Sequence, residues 1–233
     1  MIEYILYLFC LLAIVLSMVA QFKVSSTFNK YSATLTGRGH TAAEIARHIL
    51  NSHGLYHVRI ERVAGNLTDH YDPRAEVLRL SDSVHDSSSA SAVGVAAHEV
   101  GHAIQHAEKY APIVIRSRLA PVTGFASRFC WLIIMAGIVF MALDSLLGTY
   151  VLIAGAALFA VTTLFQLVTL PCEFNASARA MEGLRNTGWY SDGELKASRK
   201  VLNAAAMTYV TATLLSVLQL LRILVRIFGN RRR

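Results

Sequence analysis

The residues His98-Glu99-Val100-Gly101-His102 have the form H-E-x-x-H, and the rest of the chain can be interpreted around them. On a helix, residues four positions apart lie on one face, about 6 Å apart along the axis, so two imidazoles can bind one metal ion. Zn²⁺ bound in this way lowers the pKa of its water toward about 7, and a neighbouring Glu can accept the proton. The motif predicts one Zn²⁺ per chain, with His98 and His102 as ligands and Glu99 as general base.

The composition indicates a membrane protein rather than a soluble one. Of 233 residues, 54% are hydrophobic and only 16% are charged. The net charge of +7 arises mostly from Lys and Arg that flank apolar runs, where they can meet anionic headgroups of a lipid bilayer. No pattern of aromatic and basic residues accompanies this charge, so nucleic acid is not expected as a partner. The three Cys residues form no C-x-x-C and predict neither a disulfide framework nor a thiolate zinc site.

Four uncharged apolar runs are spaced along the chain, at 4–22, 129–143, 148–170 and 201–221. About 20 apolar residues cross a bilayer as a helix, so we expect about four transmembrane helices, the short second run being extended by its flanks. Lys23 follows the first run, which we interpret as a retained anchor rather than a cleaved signal peptide. The expected fold class is a mainly α membrane protein with a small α+β, zincin-like catalytic domain that carries the H-E-x-x-H helix.

The region between the first two runs has the composition of a small soluble domain. Thr41 and Glu44 form a capping box, and strands are expected around Val58 to Val63 and Val77 to Leu80. The motif helix is predicted from Ala92 to about Lys109, after a Ser-rich stretch that offers N-caps. The predicted divisions are an N-terminal transmembrane anchor (1–23), a zincin-like catalytic region (24–124), a transmembrane hairpin (125–170), a third-ligand helix (171–200), and a C-terminal transmembrane helix with a basic tail (201–233).

Prolines and a second capping box set the expected helix boundaries in the rest of the chain. Pro112 and Pro121 are predicted to break the chain after the motif helix, and Pro171 to stand in the first turn of a new helix. Ser191 and Glu194 form the second capping box, which opens a helix expected to run without a break into the last apolar run.

A catalytic zinc usually takes three protein ligands, so the motif needs a further donor. Glu173 is the favoured candidate because the hairpin before it crosses the membrane twice and returns the chain to the face that carries the motif. His106 is excluded as a co-ligand with His98, since eight residues of helix separate them by about 12 Å. His70, Asp72 and His85 remain alternatives.

Four blocks of this sequence resemble the YugP-type membrane zinc metallopeptidases, also called neutral zinc metallopeptidases. The blocks are Leu67-Thr-Asp-His-Tyr-Asp-Pro73, Leu78-Arg-Leu-Ser81, Val95-Ala-Ala-His-Glu-Val-Gly-His-Ala-Ile-Gln105 and Thr169-Leu-Pro-Cys-Glu-Phe-Asn-Ala-Ser177. The resemblance implies an integral membrane endopeptidase of the bacterial plasma membrane that acts on polypeptides. It also implies His98, His102 and Glu173 as zinc ligands and Glu99 as base.

The chain is more distantly similar to HtpX-type and CAAX-processing membrane proteases. In those relatives an Asp follows the third-ligand Glu by four residues and orients a ligand His, whereas this chain has Ser177 there. A hydroxyl orients an imidazole more weakly than a carboxylate, and Asp69 or Asp72 is the expected substitute.

The sequence therefore predicts a zinc endopeptidase that cleaves membrane or membrane-proximal proteins. His70 or Tyr71 is a candidate donor to the oxyanion, and the strand at Val77 to Ser81 is a candidate for pairing with extended substrate. A catalytically inactive, zinc-binding membrane scaffold or adaptor is the competing hypothesis, and the intact Glu99 argues against it. A transporter is less favoured because the His and Glu cluster lies outside the apolar runs.

The distribution of positive charge favours a cytoplasmic catalytic face. Ten Lys and Arg residues near the membrane fall on the catalytic side and five on the other, although the Arg-rich C-terminus opposes this orientation. The ten are Lys23, Lys30, Arg116, Arg118, Arg128, Arg179, Arg185, Lys196, Arg199 and Lys200, and the five are Arg222, Arg226 and Arg231 to Arg233.

Overall fold

Six helices and three short strands make up the part of the chain described by the computed structural model, which covers residues 2–143 and 145–229. The predicted basic tail at Arg231 to Arg233 and Asp144 of the predicted hairpin turn lie outside the described residues. The elements are α1 (Ile2–Ser32), α2 (Ala42–Ser52), β1 (Arg59–Val63), β2 (His70–Asp72), β3 (Val77–Ser81), α3 (Ala90–Ala107), α4 (Ala111–Ala142), α5 (Leu146–Asn186) and α6 (Asp192–Gly229).

Four of these helices, α1, α4, α5 and α6, are long and apolar enough to cross a membrane. The prediction of a mainly helical protein with four such helices is confirmed for the described residues. The expected breaks at two prolines are wrong, because Pro121 lies inside α4 and Pro171 lies inside α5. Pro112 is the second residue of α4, in the first turn, where backbone N–H groups have no acceptor within the helix. Its missing N–H therefore costs no helical hydrogen bond.

The chain divides into two compact units. The first contains residues up to Val19, Val114–Leu170 and the residues from Tyr209 onward. Its core is a cluster of apolar side chains from α4, α5 and α6, with α4 and α5 in close contact. A Cβ at Gly137 would lie 2.6 Å from the backbone nitrogen of Leu152, so this glycine permits the close approach of helices that is typical of membrane interiors.

The second unit contains Ala20–Ile113 and Pro171–Thr208, and its sheet has the strand order β1-β3-β2. β1 runs parallel to β3, and β2 runs antiparallel to it. β3 is the central strand, so the prediction that it pairs with substrate is wrong, because both of its edges are already hydrogen-bonded. β1 and β2 are the edge strands among the described residues.

Local signals set the ends of the helices that build this unit. The capping box at Thr41 and Glu44 begins α2 as predicted, with both reciprocal hydrogen bonds present. Ser89 caps α3 by accepting a hydrogen bond from the Ala92 N–H, so the helix begins two residues earlier than predicted. α3 is buried over most of its surface and packs against α2, β2 and β3.

All three cysteines of the chain are buried thiols, and none of them forms a disulfide. Cys10 and Cys130 belong to the first unit and Cys172 to the second.

Candidate metal centre and active site

The two histidines of the motif and Glu173 lie together in the second unit. His98 and His102, one helical turn apart on α3, both direct Nε2 toward the Glu173 carboxylate on α5. Glu173 Oε2 is 3.2 Å from His98 Nε2 and 3.6 Å from His102 Nε2. One donor atom from each of the three residues lies within 4.8 Å of the other two.

This donor set fits a zinc ion. Zinc binds His nitrogen and carboxylate oxygen at about 2.0–2.2 Å, so two donors at tetrahedral positions are roughly 3.4 Å apart. The observed separations of 3.2 and 3.6 Å bracket that value. Glu173 is only 2% exposed, and a buried carboxylate beside two imidazoles requires a positive charge to offset the loss of hydration.

The electrostatics of the cluster also favour a cation. Burial raises the pKa of the Glu99 carboxyl, although the neighbouring His102 and His98 oppose this effect. For His102, burial acts to lower the imidazole pKa, but the hydrogen bond to Glu173 and the charge of Glu99 raise it overall. The Glu173 and Glu99 carboxylates therefore stabilise positive charge at the His102 imidazole, whether a proton or a metal ion supplies it.

His102 is oriented by Gln105, a fully buried residue three positions along the same helix. Gln105 Nε2 donates to the Cys172 carbonyl at 2.8 Å and to Asn175 Oδ1 at 2.9 Å. The amide nitrogen is thus committed to two acceptors, which leaves Oε1 to accept from His102 Nδ1 at 3.0 Å. A neutral His102 would therefore carry its proton on Nδ1 and present its Nε2 lone pair to a metal ion held beside Glu173.

The same network extends along α5 to an ion pair. Arg179 donates through Nε to Asn175 Oδ1 at 2.7 Å and pairs through Nη2 with Glu108 Oε2, also at 2.7 Å. Sequence reasoning missed Gln105, although its spacing of three residues from His102 on a predicted helix places it next to that imidazole. Neither Asp69 nor Asp72 takes the orienting role that we predicted for one of them.

His98 is oriented by Ser177, whose Oγ lies 3.1 Å from Nδ1. Ser177 can reach the imidazole because α3 and α5 approach closely at Gly101. A Cβ at Gly101 would lie 2.5 Å from the carbonyl oxygen of Ala176, which only glycine avoids. The glycine of the H-E-x-x-H motif thus permits the contact that brings the two halves of the cluster together.

Glu99 lies on the same helix between the two histidines, and it also contacts the sheet. Its Oε2 accepts a hydrogen bond from the backbone N–H of Tyr71 on β2 at 3.1 Å. The Tyr71 side chain is half-buried, and its ring centroid lies 5.7 Å from that of His106. β2 therefore borders the cluster through its backbone.

The remaining candidates for ligands are engaged elsewhere and do not join the three donors in one group. His70 is exposed, with Nδ1 2.9 Å from the Thr68 carbonyl oxygen. Asp72 forms an ion pair with Arg79 at 3.0 Å, and His85 contacts Asp86. Asp69 accepts two hydrogen bonds from Ser81, at 2.7 Å from the N–H and 2.9 Å from the hydroxyl.

A helix with the H-E-x-x-H spacing and a distant Glu that completes a His₂Glu donor set are features of zinc metallopeptidases. A family model described as "Putative neutral zinc metallopeptidase" matches residues 6–228. The chain is also 48% identical over 220 residues to the "Putative membrane protease YugP" of Bacillus subtilis (strain 168), which covers 94% of this chain and 95% of that protein. The chain belongs to this family of zinc metallopeptidases, and the predicted resemblance is confirmed. No solved structure matches the chain.

Proposed function

We propose that this membrane protein is a zinc-dependent endopeptidase that hydrolyses peptide bonds in membrane or membrane-proximal proteins. The observation that carries the proposal is the convergence of His98, His102 and Glu173, with Glu99 beside them. Family membership supports the zinc and peptidase parts of the assignment. The endopeptidase specificity and the class of substrate are our inference from the site and from the four apolar helices.

In this proposal His98, His102 and Glu173 hold the zinc ion, and the chain's other residues prepare the reactants. Zn²⁺, when bound, polarises the scissile carbonyl and lowers the pKa of water. Glu99 accepts the proton of the attacking water and later delivers it to the leaving amine, so its protonation state cycles within one turnover. Gln105 holds His102 in the tautomer that presents Nε2, and Ser177 orients the His98 ring through Nδ1.

The substrate is expected to lie as an extended strand along β2. In the described part of the chain, β2 pairs only with β3, and the Tyr71 N–H points away from that pair toward Glu99. Backbone pairing along this edge would place a substrate carbonyl where the Tyr71 N–H now donates to Glu99, so a peptide bond would lie beside the general base. Pairing through the backbone would also accept many sequences. Of the two predicted oxyanion donors, we favour the side-chain hydroxyl of Tyr71. The His70 imidazole is exposed, and its Nδ1 contacts the Thr68 carbonyl oxygen.

The test compares two isosteric substitutions in the purified full chain. Glu99→Gln should retain zinc, measured by elemental analysis, and lower the rate of casein cleavage by about 10²- to 10⁴-fold, the usual worth of a general base. Glu173→Gln should lose zinc. Glu182→Gln, which changes an exposed carboxylate on the same helix, serves as the control and should affect neither measurement. Cleavage by Glu99→Gln at the wild-type rate would refute the mechanism.

A further inference from the structure

A basic cavity in the second unit lies outside the metal centre and has no role in the proposed reaction. It encloses about 380 Å³ between the C-terminal part of α1 and the N-terminal part of α6. Its lining consists of Lys23, Thr27, Lys30 and Tyr31 from α1 and Lys200, Asn203, Ala204 and Met207 from α6. On each helix these positions are spaced by three or four residues, so they form one continuous face.

The cavity concentrates positive charge that the protein does not neutralise. Lys23, Lys30 and Lys200 are exposed, and none takes part in an ion pair with the residues that the structure describes. The Nζ atoms of Lys30 and Lys200 lie 5.7 and 5.8 Å from the centroid of the Tyr31 ring. No acidic side chain is found among the residues lining the cavity. Three ammonium groups around one small volume favour an anionic ligand.

The position of the cavity along the helices matches the depth of lipid headgroups. Lys23 is the first charged residue after the uncharged run 4–22, and Lys200 is the last before the uncharged run 201–221. The headgroup layer is about 5–8 Å thick on each side of the hydrocarbon, so a side chain that directly follows such a run lies within it. Ala204 and Met207 belong to the uncharged run of α6 and supply an apolar lining.

We propose that this cavity binds the phosphate headgroup of an anionic phospholipid, with Lys23, Lys30 and Lys200 contacting the phosphate oxygens and Met207 lying beside the acyl chains. The ligand must be anionic to satisfy the lysines and small enough for the cavity. It must also carry an apolar portion to use the lining near the uncharged runs. Each basic residue near an anionic membrane surface contributes about 1 kcal/mol, which corresponds to roughly fivefold in affinity.

The test measures lipid binding to the full chain in detergent micelles by native mass spectrometry, with dioleoyl phosphatidylglycerol or dioleoyl phosphatidylcholine as the probe. The wild type should bind phosphatidylglycerol in preference to phosphatidylcholine. The triple variant Lys23→Gln, Lys30→Gln, Lys200→Gln should bind phosphatidylglycerol on the order of 100-fold more weakly. The corresponding triple Lys→Arg variant keeps the charge and should keep the binding, which shows that substitution at these positions does not by itself disrupt the fold.

A matched control removes three positive charges elsewhere in the same unit. Arg38, Arg74 and Lys109 are exposed and do not line the cavity, so changing all three to Gln should leave the affinity for phosphatidylglycerol unchanged. An equal loss in this control would overturn the proposal, because net charge alone would explain the binding. Glycerol phosphate that competes at the same concentration as the lipid would also overturn it, because a soluble phosphate compound would then be the ligand.

Discussion

Replacing Gln105 with Leu would remove the group that holds His102 in its tautomer while keeping a side chain of similar size. The substitution deletes the hydrogen bonds to His102 Nδ1, the Cys172 carbonyl and Asn175 Oδ1, which are 3.0, 2.8 and 2.9 Å long. Loss of such an orienting partner typically lowers metal affinity by 10- to 100-fold, which is about 1.4–2.8 kcal/mol. We expect the zinc affinity of Gln105→Leu to fall within this range.

The affinity is best measured by competition with a chromogenic chelator, because that readout does not depend on peptidase activity. Gln105→Glu keeps an oxygen that can accept from His102 Nδ1 but cannot donate to the Cys172 carbonyl when ionised, so it should lose less zinc affinity than Gln105→Leu. Gln21→Leu, the same change at an exposed position of α1, should have no effect. If Gln105→Leu lowers the thermal stability of the metal-free chain but leaves zinc affinity at the wild-type value, Gln105 has only a packing role and our reasoning is refuted.

Three further results are expected. Ser177→Ala should lower zinc affinity less than Gln105→Leu in the same chelator assay, because a hydroxyl can rotate, whereas Gln105 is fixed by two further hydrogen bonds to Cys172 and Asn175. A larger loss in Ser177→Ala would contradict this ranking. Gly101→Ala should lower the melting temperature, because the added Cβ would lie 2.5 Å from the Ala176 carbonyl oxygen. Gly124→Ala should not lower it, because a Cβ there has no atom within 4 Å. Equal melting temperatures for the two variants would show that α3 and α5 separate without cost. Removing zinc with a chelator should lower the free energy of unfolding by about 2.7 kcal/mol, relative to a solution with free zinc at 100 times its dissociation constant. An unchanged melting temperature would indicate that the ion does not bind the folded state.

The most predictable parts of the fold were those determined by local sequence. The capping boxes at Thr41 and Ser191 depend on side chains three residues apart, and both reciprocal pairs are present. The apolar runs can be recognised as membrane-spanning helices without tertiary information, because they are long enough to cross a bilayer. The grouping of Glu173 with the motif histidines could be anticipated because the hairpin between them had to return the chain to the same membrane face.

The prolines show where local rules failed. In water, an internal proline loses a backbone hydrogen bond and clashes with the preceding turn, so local rules predict a helix boundary at Pro121 and at Pro171. A long apolar helix tolerates proline because neighbouring helices and hydroxyl side chains can satisfy the freed backbone groups, and chain ends are costly in lipid. α4 therefore continues through Pro121. α5 also continues through Pro171, which directly follows its uncharged run.

The errors around the site have another origin, since they depended on strand order and side-chain direction. The sequence pattern of Val77 to Ser81 is that of a buried strand, but it does not show whether that strand is central or at an edge. The pairing of Asp72 with Arg79 and of Asp69 with Ser81 requires strand register, which sequence spacing does not provide. Gln105 carries none of the usual zinc donors, so the metal-binding motif does not single it out.

The burial of all three cysteines makes this chain suitable for site-directed labelling. Thiol reagents need an accessible thiolate, so Cys10, Cys130 and Cys172 should react slowly with membrane-impermeant maleimides in the folded protein. A single cysteine introduced at an exposed position, such as Lys109 or Lys196, would then be the main reactive thiol without removal of the native ones. Labelling of intact cells and of inverted vesicles would show which side of the membrane carries the metal centre.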